Sequence, residues 1–257
     1  MLTFRNTNIL FGAVMVLLII ASFYIHIPWF FFLVALFLYS MFLFLGSYFI
    51  QHGFYFKSIC SAQTTKKQIA FTFDDGPAKN YTPEILKALK ENNVQAAFFC
   101  IGNRISGNEN LLAQIKNENH IIGNHSYSHH FWFDLFSSRK MLNDIQLMNS
   151  VVKETVGLTP KLFRPPYGVT NPNLKKAIDK GNYISIGWNI RSMDTVAKDA
   201  NKLMQKIKSS LKPGAIILFH DNCKITVDIL PEFIRYVKAE GYEIIRLDKM
   251  CNLQAYE

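Results

Sequence analysis

Phe71-Thr72-Phe73-Asp74-Asp75-Gly76-Pro77 passes within one short stretch from apolar alternation to two adjacent carboxylates and a Gly-Pro pair. Ile69, Phe71 and Phe73 alternate with Ala70 and Thr72, the pattern of a buried strand ending in a tight turn. Asp74 and Asp75 are thereby placed at the C-terminal mouth of a strand, where parallel α/β folds collect their chemistry. Two neighbouring carboxylates there require a cation, or one of them a proton. A metal is the simpler answer, and further ligands are available in Asn124-His125-Ser126-Tyr127-Ser128-His129. Two imidazoles at i and i+4 would share one helical face and could grip one ion.

Three later segments repeat the sequence of an apolar run followed by polar or Pro-Gly chemistry: 162–168 (LFRPPYG), 183–189 (YISIGWN) and 215–221 (AIILFHD). The pattern between them predicts alternating helices and strands. Thr82 is the expected N-cap of a helix with Pro83 at its first position, and Ile85, Leu86 and Leu89 form its inward face. Strands follow over 95–101 and 121–123, helices over 110–119 and 138–154, a strand into Arg164, helices over 175–179, 198–211 and 227–240, and a last strand over 243–247. Seven strand candidates separated by helices imply right-handed crossovers and a closed or nearly closed parallel sheet.

The first 57 residues are of another kind, with Arg5 and Lys57 their only charged side chains. Apolar runs of about 17 residues (9–25) and about 23 (28–50) compare with the ~20 that span a bilayer. They read as two transmembrane helices joined by a tight turn at 26–29, although Tyr39 then falls mid-span. A cleavable signal would show a basic start and a small-residue cleavage site, then polar sequence instead of a second apolar run. The expected division is a membrane anchor over 1–57, a linker over 58–67 and a catalytic domain over 68–257. Basic residues flank the hairpin and none lies in its turn, which favours a cytoplasmic domain, but so few charges decide little.

Two of the 28 Lys and Arg and none of the 19 Asp and Glu lie in the hairpin, so the remainder carries about +7. That charge suits an anionic membrane surface or envelope polymer, and solubility alone would account for it equally. No basic cluster interleaved with aromatics points to nucleic acid. Cys60, Cys100, Cys223 and Cys251 lack the spacing of a zinc knuckle or a thioredoxin-like site.

Taken in order, TFDDGP, HSYSH, RPPYG and LFH form a set that resembles the polysaccharide deacetylase family, the family 4 carbohydrate esterases that carry the NodB homology domain. The resemblance runs from about Lys66 to the C-terminus and implies a distorted, incomplete (β/α) barrel of about seven parallel strands. It assigns Asp75, His125 and His129 to one divalent metal ion, zinc by default, with cobalt, nickel or manganese also suited to this donor set. Asp74 would be the general base toward the attacking water, with Arg164 holding it ionised and oriented. Tyr167 would offer its backbone N–H to the tetrahedral oxyanion. His220 would be the acid that protonates the departing amine, which leaves poorly without a proton. Leu218, Pro165 and Tyr167 would line the substrate pocket.

The fourth motif in chain order, Arg191-Ser192-Met193-Asp194-Thr195 between RPPYG and LFH, departs from the family pattern of two Asp residues followed by Trp. Asp194 survives and is expected to tune His220, whereas Arg191 and Thr195 replace the first Asp and the Trp. The implied activity is metal-dependent removal of N-acetyl groups from amino sugars of a polysaccharide, peptidoglycan or lipid-linked saccharide. Such substrates place the catalytic domain outside the cytoplasm. Two alternatives stand beside it: deformylation of a lipid-linked amino sugar, and a glycan-binding pseudoenzyme.

Overall fold

The computed structural model describes residues 2–257. Two antiparallel helices, α1 (Phe4–Ser22) and α2 (Phe30–Tyr48), come first and are apolar on nearly every face. Both are long and apolar enough to cross a bilayer. Tyr39, expected mid-span, stacks on Phe11 at 4.2 Å and donates its hydroxyl to Asn8 Oδ1 (2.9 Å). That interhelical bond pairs the Tyr39 hydroxyl with the Asn8 carbonyl oxygen inside an apolar pair of helices.

The rest of the chain alternates strands and helices. Its elements are β1 (Gln68–Asp74), α3 (Thr82–Glu91), β2 (Ala97–Cys100), α4 (Glu109–Asn117), β3 (Ile121–Asn124), α5 (Ser138–Val156), β4 (Leu162–Phe163), α6 (Pro172–Gly181), β5 (Ile184–Ser185) and β6 (Ile190–Arg191). Then come α7 (Ala200–Ser210), β7 (Ala215–His220), α8 (Lys224–Ala239), β8 (Glu243–Ile244) and α9 (Leu247–Cys251). The ladders are parallel in the order β5-β4-β3-β2-β1-β7-β6, and the two-residue β8 pairs with the start of β1. This is the seven-stranded incomplete barrel that the pattern implied.

Alternation along β1 sorts the core into two layers. Ile69, Phe71 and Phe73 face the surrounding helices, where Phe73 stacks on Phe98 (5.0 Å) and Phe219 (5.7 Å). Ala70 joins Ala97, Phe99, Ile121, Leu162, Ile186 and Leu218 inside the barrel. A Cβ on Gly123 would run into the Phe99 ring, so glycine is what lets that ring lie across the barrel.

Several local expectations change. Of the expected strand over 183–189 only Ile184–Ser185 is strand, as β5; β6 follows at Ile190–Arg191, and the two lie at opposite ends of the sheet. The barrel seam therefore falls between them. The segment expected as a linker lies along that seam: Ile59 donates to Ser185 O (2.9 Å) and accepts from Gly187 (2.9 Å), and Ala62 donates to Gly214 O (2.9 Å). Ile50 is buried with the interior residues at the same place. Short strands leave a gap that this strap fills. Thr82 does not cap α3, because its hydroxyl is engaged elsewhere, and Tyr81 precedes the helix without a side-chain cap.

The hairpin is fastened to the barrel. Ser47, in the last turn of α2, donates Oγ to Thr170 O (2.5 Å) and accepts from Thr170 N–H (3.1 Å), and Phe4 N–H donates to Phe54 O (3.0 Å). Phe54 packs flat on Gly46, where a Cβ would displace it.

Candidate active site

The two carboxylates of the opening stretch end β1 and diverge. Asp74 is the last residue of the strand, and Asp75 follows with φ at 77°, a left-handed conformation strained for a residue with a Cβ. The register sets Asp74 beside Phe99 of β2 on one side and His220 of β7 on the other. One carboxylate thus faces the barrel interior while the next swings to its rim.

Arg164 ends the path of β4 completely buried, and four hydrogen bonds engage all three nitrogens of its guanidinium. Nη1 reaches Asp74 Oδ1 (2.7 Å) and Thr72 Oγ1 (2.8 Å), Nη2 reaches Gly187 O (2.9 Å) and Nε reaches Ile186 O (3.3 Å). Its plane lies 4.1 Å over Phe99. A buried charge is tolerated only with this degree of pairing. The consequence is a carboxylate with one oxygen pinned and the other free.

Asp75, His125 and His129 offer ligand atoms that all lie within 4.8 Å of one another. His125 Nε2 is 3.6 Å and His129 Nε2 3.5 Å from Asp75 Oδ1. The two histidines do not share a helix, as their spacing had suggested. They sit on a loop after β3 in which Ser126 and His129 take positive φ of 66° and 43°. Two polar side chains, Asn124 at the start of the loop and Asp144 on α5, build it. Asn124 Oδ1 accepts Ser126 N–H (2.8 Å), and Asp144 Oδ1 on α5 accepts Tyr127 N–H (2.8 Å) and Ser128 N–H (3.2 Å). Only the folded neighbourhood of α5 identifies Asp144.

The donor set fits a divalent ion. His125 Nδ1 lies 2.8 Å from Arg164 O, which fixes the ring and turns Nε2 toward Asp75, where it could serve as a ligand. Burial, followed by the His125 charge, pushes His129 down to about 4, so it is a neutral lone-pair donor at pH 7. Burial would raise Asp75, but His125, His129, His220 and Arg104 outweigh it and hold the carboxylate below its usual range. Arg104 Nη1 also donates to Asp75 O (2.5 Å) and Asn222 Nδ2 to Asp75 Oδ2 (3.2 Å).

His220 Nδ1 lies 2.7 Å from Asp194 Oδ1, and its backbone N–H donates to Asp194 Oδ2 (2.7 Å), which also accepts from Thr226 Oγ1 (2.6 Å). Burial disfavours the imidazolium, but the Asp194 hydrogen bond and charge prevail, and His220 is raised above its ordinary value. Arg191 and Thr195, the departures in this motif, are exposed, with Arg191 set 5.8 Å over the Trp188 ring. Tyr167, at φ 59°, packs edge-on to His129 (4.7 Å) at the rim, Pro165 is buried behind it, and Leu218 lies buried in the barrel interior. His130, the spare imidazole, points outward and accepts Trp132 N–H (3.0 Å). All four cysteines are free thiols.

Asp221, immediately after His220, was not anticipated. It is wholly buried and accepts from Thr82 Oγ1 (2.6 Å), while its Oδ1 has no partner among the described residues. Burial, with the charges of Asp75 and Asp74 beyond it, raises Asp221 to about 7. Gly76 packs against this carboxyl so tightly that a Cβ would overlap it.

Comparison with known proteins matches residues 61–184 to the family described as Polysaccharide deacetylase. A peptidoglycan-N-acetylglucosamine deacetylase of Bacillus cereus is 32% identical over 200 residues, covering 74% of this chain and 70% of that protein. The crystal structure of the Bc1960 peptidoglycan N-acetylglucosamine deacetylase superposes with a TM-score of 0.73 at 30% identity, covering 78% of this chain and 95% of that one. A pseudoenzyme of carbohydrate esterase family 4 from Bacillus anthracis superposes with a TM-score of 0.70 at 26% identity, over 76% of this chain and 68% of that one. With fold, motif order and a relative alike over most of both chains, this chain belongs to the polysaccharide deacetylase family.

Proposed function

We propose that the protein is a membrane-anchored, metal-dependent hydrolase that removes N-acetyl groups from amino sugars of an envelope glycan, with residues 68–257 as its catalytic domain outside the cytoplasm. The observation that carries this reading is the convergence of an Asp-His-His cluster with a pinned Asp74 on one side and an Asp194-bound His220 on the other. The names of relatives that act on peptidoglycan support the substrate class and the extracytoplasmic side. The two apolar helices support the anchor.

Asp75, His125 and His129 would hold the ion. When bound, it supplies a Lewis acid for an acyl oxygen and brings water toward ionisation near neutral pH. Asp74 accepts the proton of the attacking water at Oδ2, because Arg164 occupies Oδ1. His220 has Nδ1 committed to Asp194, leaving Nε2 to deliver a proton to the departing amine. Tyr167 contributes its N–H from a strained turn at the rim, and Leu218 and Pro165 border the pocket.

The pseudoenzyme reading draws on a fold neighbour of that kind and on the altered fourth motif. Against it stand a complete donor set and an intact Asp194–His220 pair. Acetate release from N-acetylated envelope glycans by the full chain in detergent decides between them. Activity should vanish on chelation and return with zinc or another divalent transition metal. Asp74→Asn should keep the metal and lose turnover, whereas His125→Ala should lose both. Turnover by the metal-free protein, or equal metal loss in the two variants, would remove the proposed roles.

A further inference from the structure

Outside the hairpin, the large hydrophobic side chains exposed among the described residues are Phe131, Trp132, Leu135, Leu147, Tyr167 and Val196. Four of these six lie on one rim of the candidate active site. Phe131, Trp132 and Leu135 are 68%, 55% and 69% exposed on the loop that follows the second histidine of the cluster. Phe131 stands 4.6 Å from the Trp132 ring and 6.4 Å from Tyr167, which itself lies against His129. A contiguous apolar rim of this kind is costly in water and marks an interaction surface.

The position of the rim identifies what it meets. Asn171 Nδ2 donates to Asp134 O (2.7 Å), tying the aromatic loop to the segment after Tyr167. The next residue back, Thr170, is the one bonded to Ser47 in the last turn of α2. Two hydrogen-bonded links therefore separate the apolar rim from the base of the hairpin. The 19 residues of α2 rise about 28 Å, close to the ~30 Å of a bilayer's hydrocarbon core, so its last turn lies at the interface. The rim is held at that level. An amphipathic Trp beside Phe and Leu is the composition of interfacial insertion, and exposed Leu135 offers a sugar no stacking face. Arg139, Lys176 and Lys180 line a groove between α5 and α6 on the adjoining flank, complementary to anionic headgroups.

We infer that Phe131, Trp132 and Leu135 seat in the bilayer surface beside the hairpin, holding the active-site mouth against the membrane so that it takes an amino sugar presented there on a lipid. This rests on the hairpin being membrane-spanning. It narrows the substrate class from envelope glycans in general to lipid-linked saccharides at the bilayer surface.

The test uses the full chain in vesicles of phosphatidylcholine and phosphatidylglycerol carrying bromine at shallow or deep acyl positions. The three tryptophans are Trp29 at the hairpin turn, buried Trp188 and Trp132. Comparing the parent with Trp29→Phe and Trp132→Phe isolates two emitters. Shallow bromines should quench both. Quenching of Trp29 without Trp132 overturns the inference and leaves the anchor standing; quenching of neither removes the anchor and the inference with it. A Trp132 signal that responds to soluble N-acetylglucosamine tetramer and not to bromolipid overturns it in favour of a saccharide platform.

A second arm compares kcat/KM on polyprenyl-diphosphate-linked N-acetylglucosamine in the vesicles with that on the soluble tetramer. Replacing Phe131 and Leu135 together by Ser should lower the ratio of the two about tenfold, chiefly through KM, from lost apolar burial. A ratio that does not move overturns the substrate class.

Discussion

Asp194 and His220 form a charge pair whose acid-base sense can be read from its geometry. Asp194 raises the His220 pKa against the pull of burial, so the imidazolium persists to higher pH than in an ordinary histidine. In Asp194→Asn the amide nitrogen faces Nδ1 and favours the neutral ring. The alkaline limb of the pH–rate profile should therefore move to lower pH with metal content unchanged, measured as kcat/KM against pH. Asp221 has the opposite chemistry, an acid kept protonated. Its folded pKa of about 7 exceeds the unfolded value near 3.9, so the folded form retains a proton that the unfolded chain has lost between these values. The stability it contributes is complete below about pH 4 and is lost as the pH rises to about 7, at no more than ~1.4 kcal/mol per pH unit. Chemical denaturation of the metal-free protein across this window should show that slope, and Asp221→Asn should flatten it. The sequence discloses the first pair because its members lie in motifs. It does not disclose Asp221, whose character comes from burial and from the charges of Asp75 and Asp74, more than a hundred residues away.

At the scale of the elements, the strands place the site more firmly than any single motif. The β1–β7 register brings Asp74 and His220 to adjacent positions, and alternation sends Ala70, Thr72 and Asp74 inward on the same face. Sequence periodicity made the strands over 69–74 and 215–220 readable because each is a long buried run. The two-residue strands β4, β5 and β6 give almost no period to detect, so the apolar run over 183–189 does not disclose that its strand ends at Ser185 and that another begins at Ile190. The histidine loop is the other misreading. An i, i+4 spacing suits a helix, but Asn124 and Asp144 bind the loop amides and hold two residues at positive φ instead. Asp144→Ala should therefore leave the barrel folded while lowering metal affinity about 10- to 100-fold, the usual effect of removing a residue that orients ligands. Isothermal titration of the metal-free variant with zinc measures this, and unchanged affinity would show that the loop holds its own shape.

For the whole molecule, the composition break at residue 57 was legible, but the dependence of the barrel on the chain before it was not. Nothing in Ile59 to Ala62 marks it as a closing strap, because its partners near Ser185 and Gly214 are distant in sequence. Gly214 tests the seam directly. It has φ +74°, and an added Cβ would strike the Ala62 carbonyl, so Gly214→Ala should cost more than about 1 kcal/mol. The loss would appear as a lower denaturation midpoint together with faster hydrogen exchange at the Ile59 and Ala62 amides. Exchange unchanged at those two amides would show that the strap does not depend on this contact. The strap also orders events in time. Ser58 meets Ser185 across 127 residues, so the segment made early in synthesis has to wait, unpaired, for strands that emerge much later. Contacts so distant in sequence are slow to form. Closure of the seam should then be a late step of folding, one that leaves the barrel open on that side until β5 and β7 have both been made.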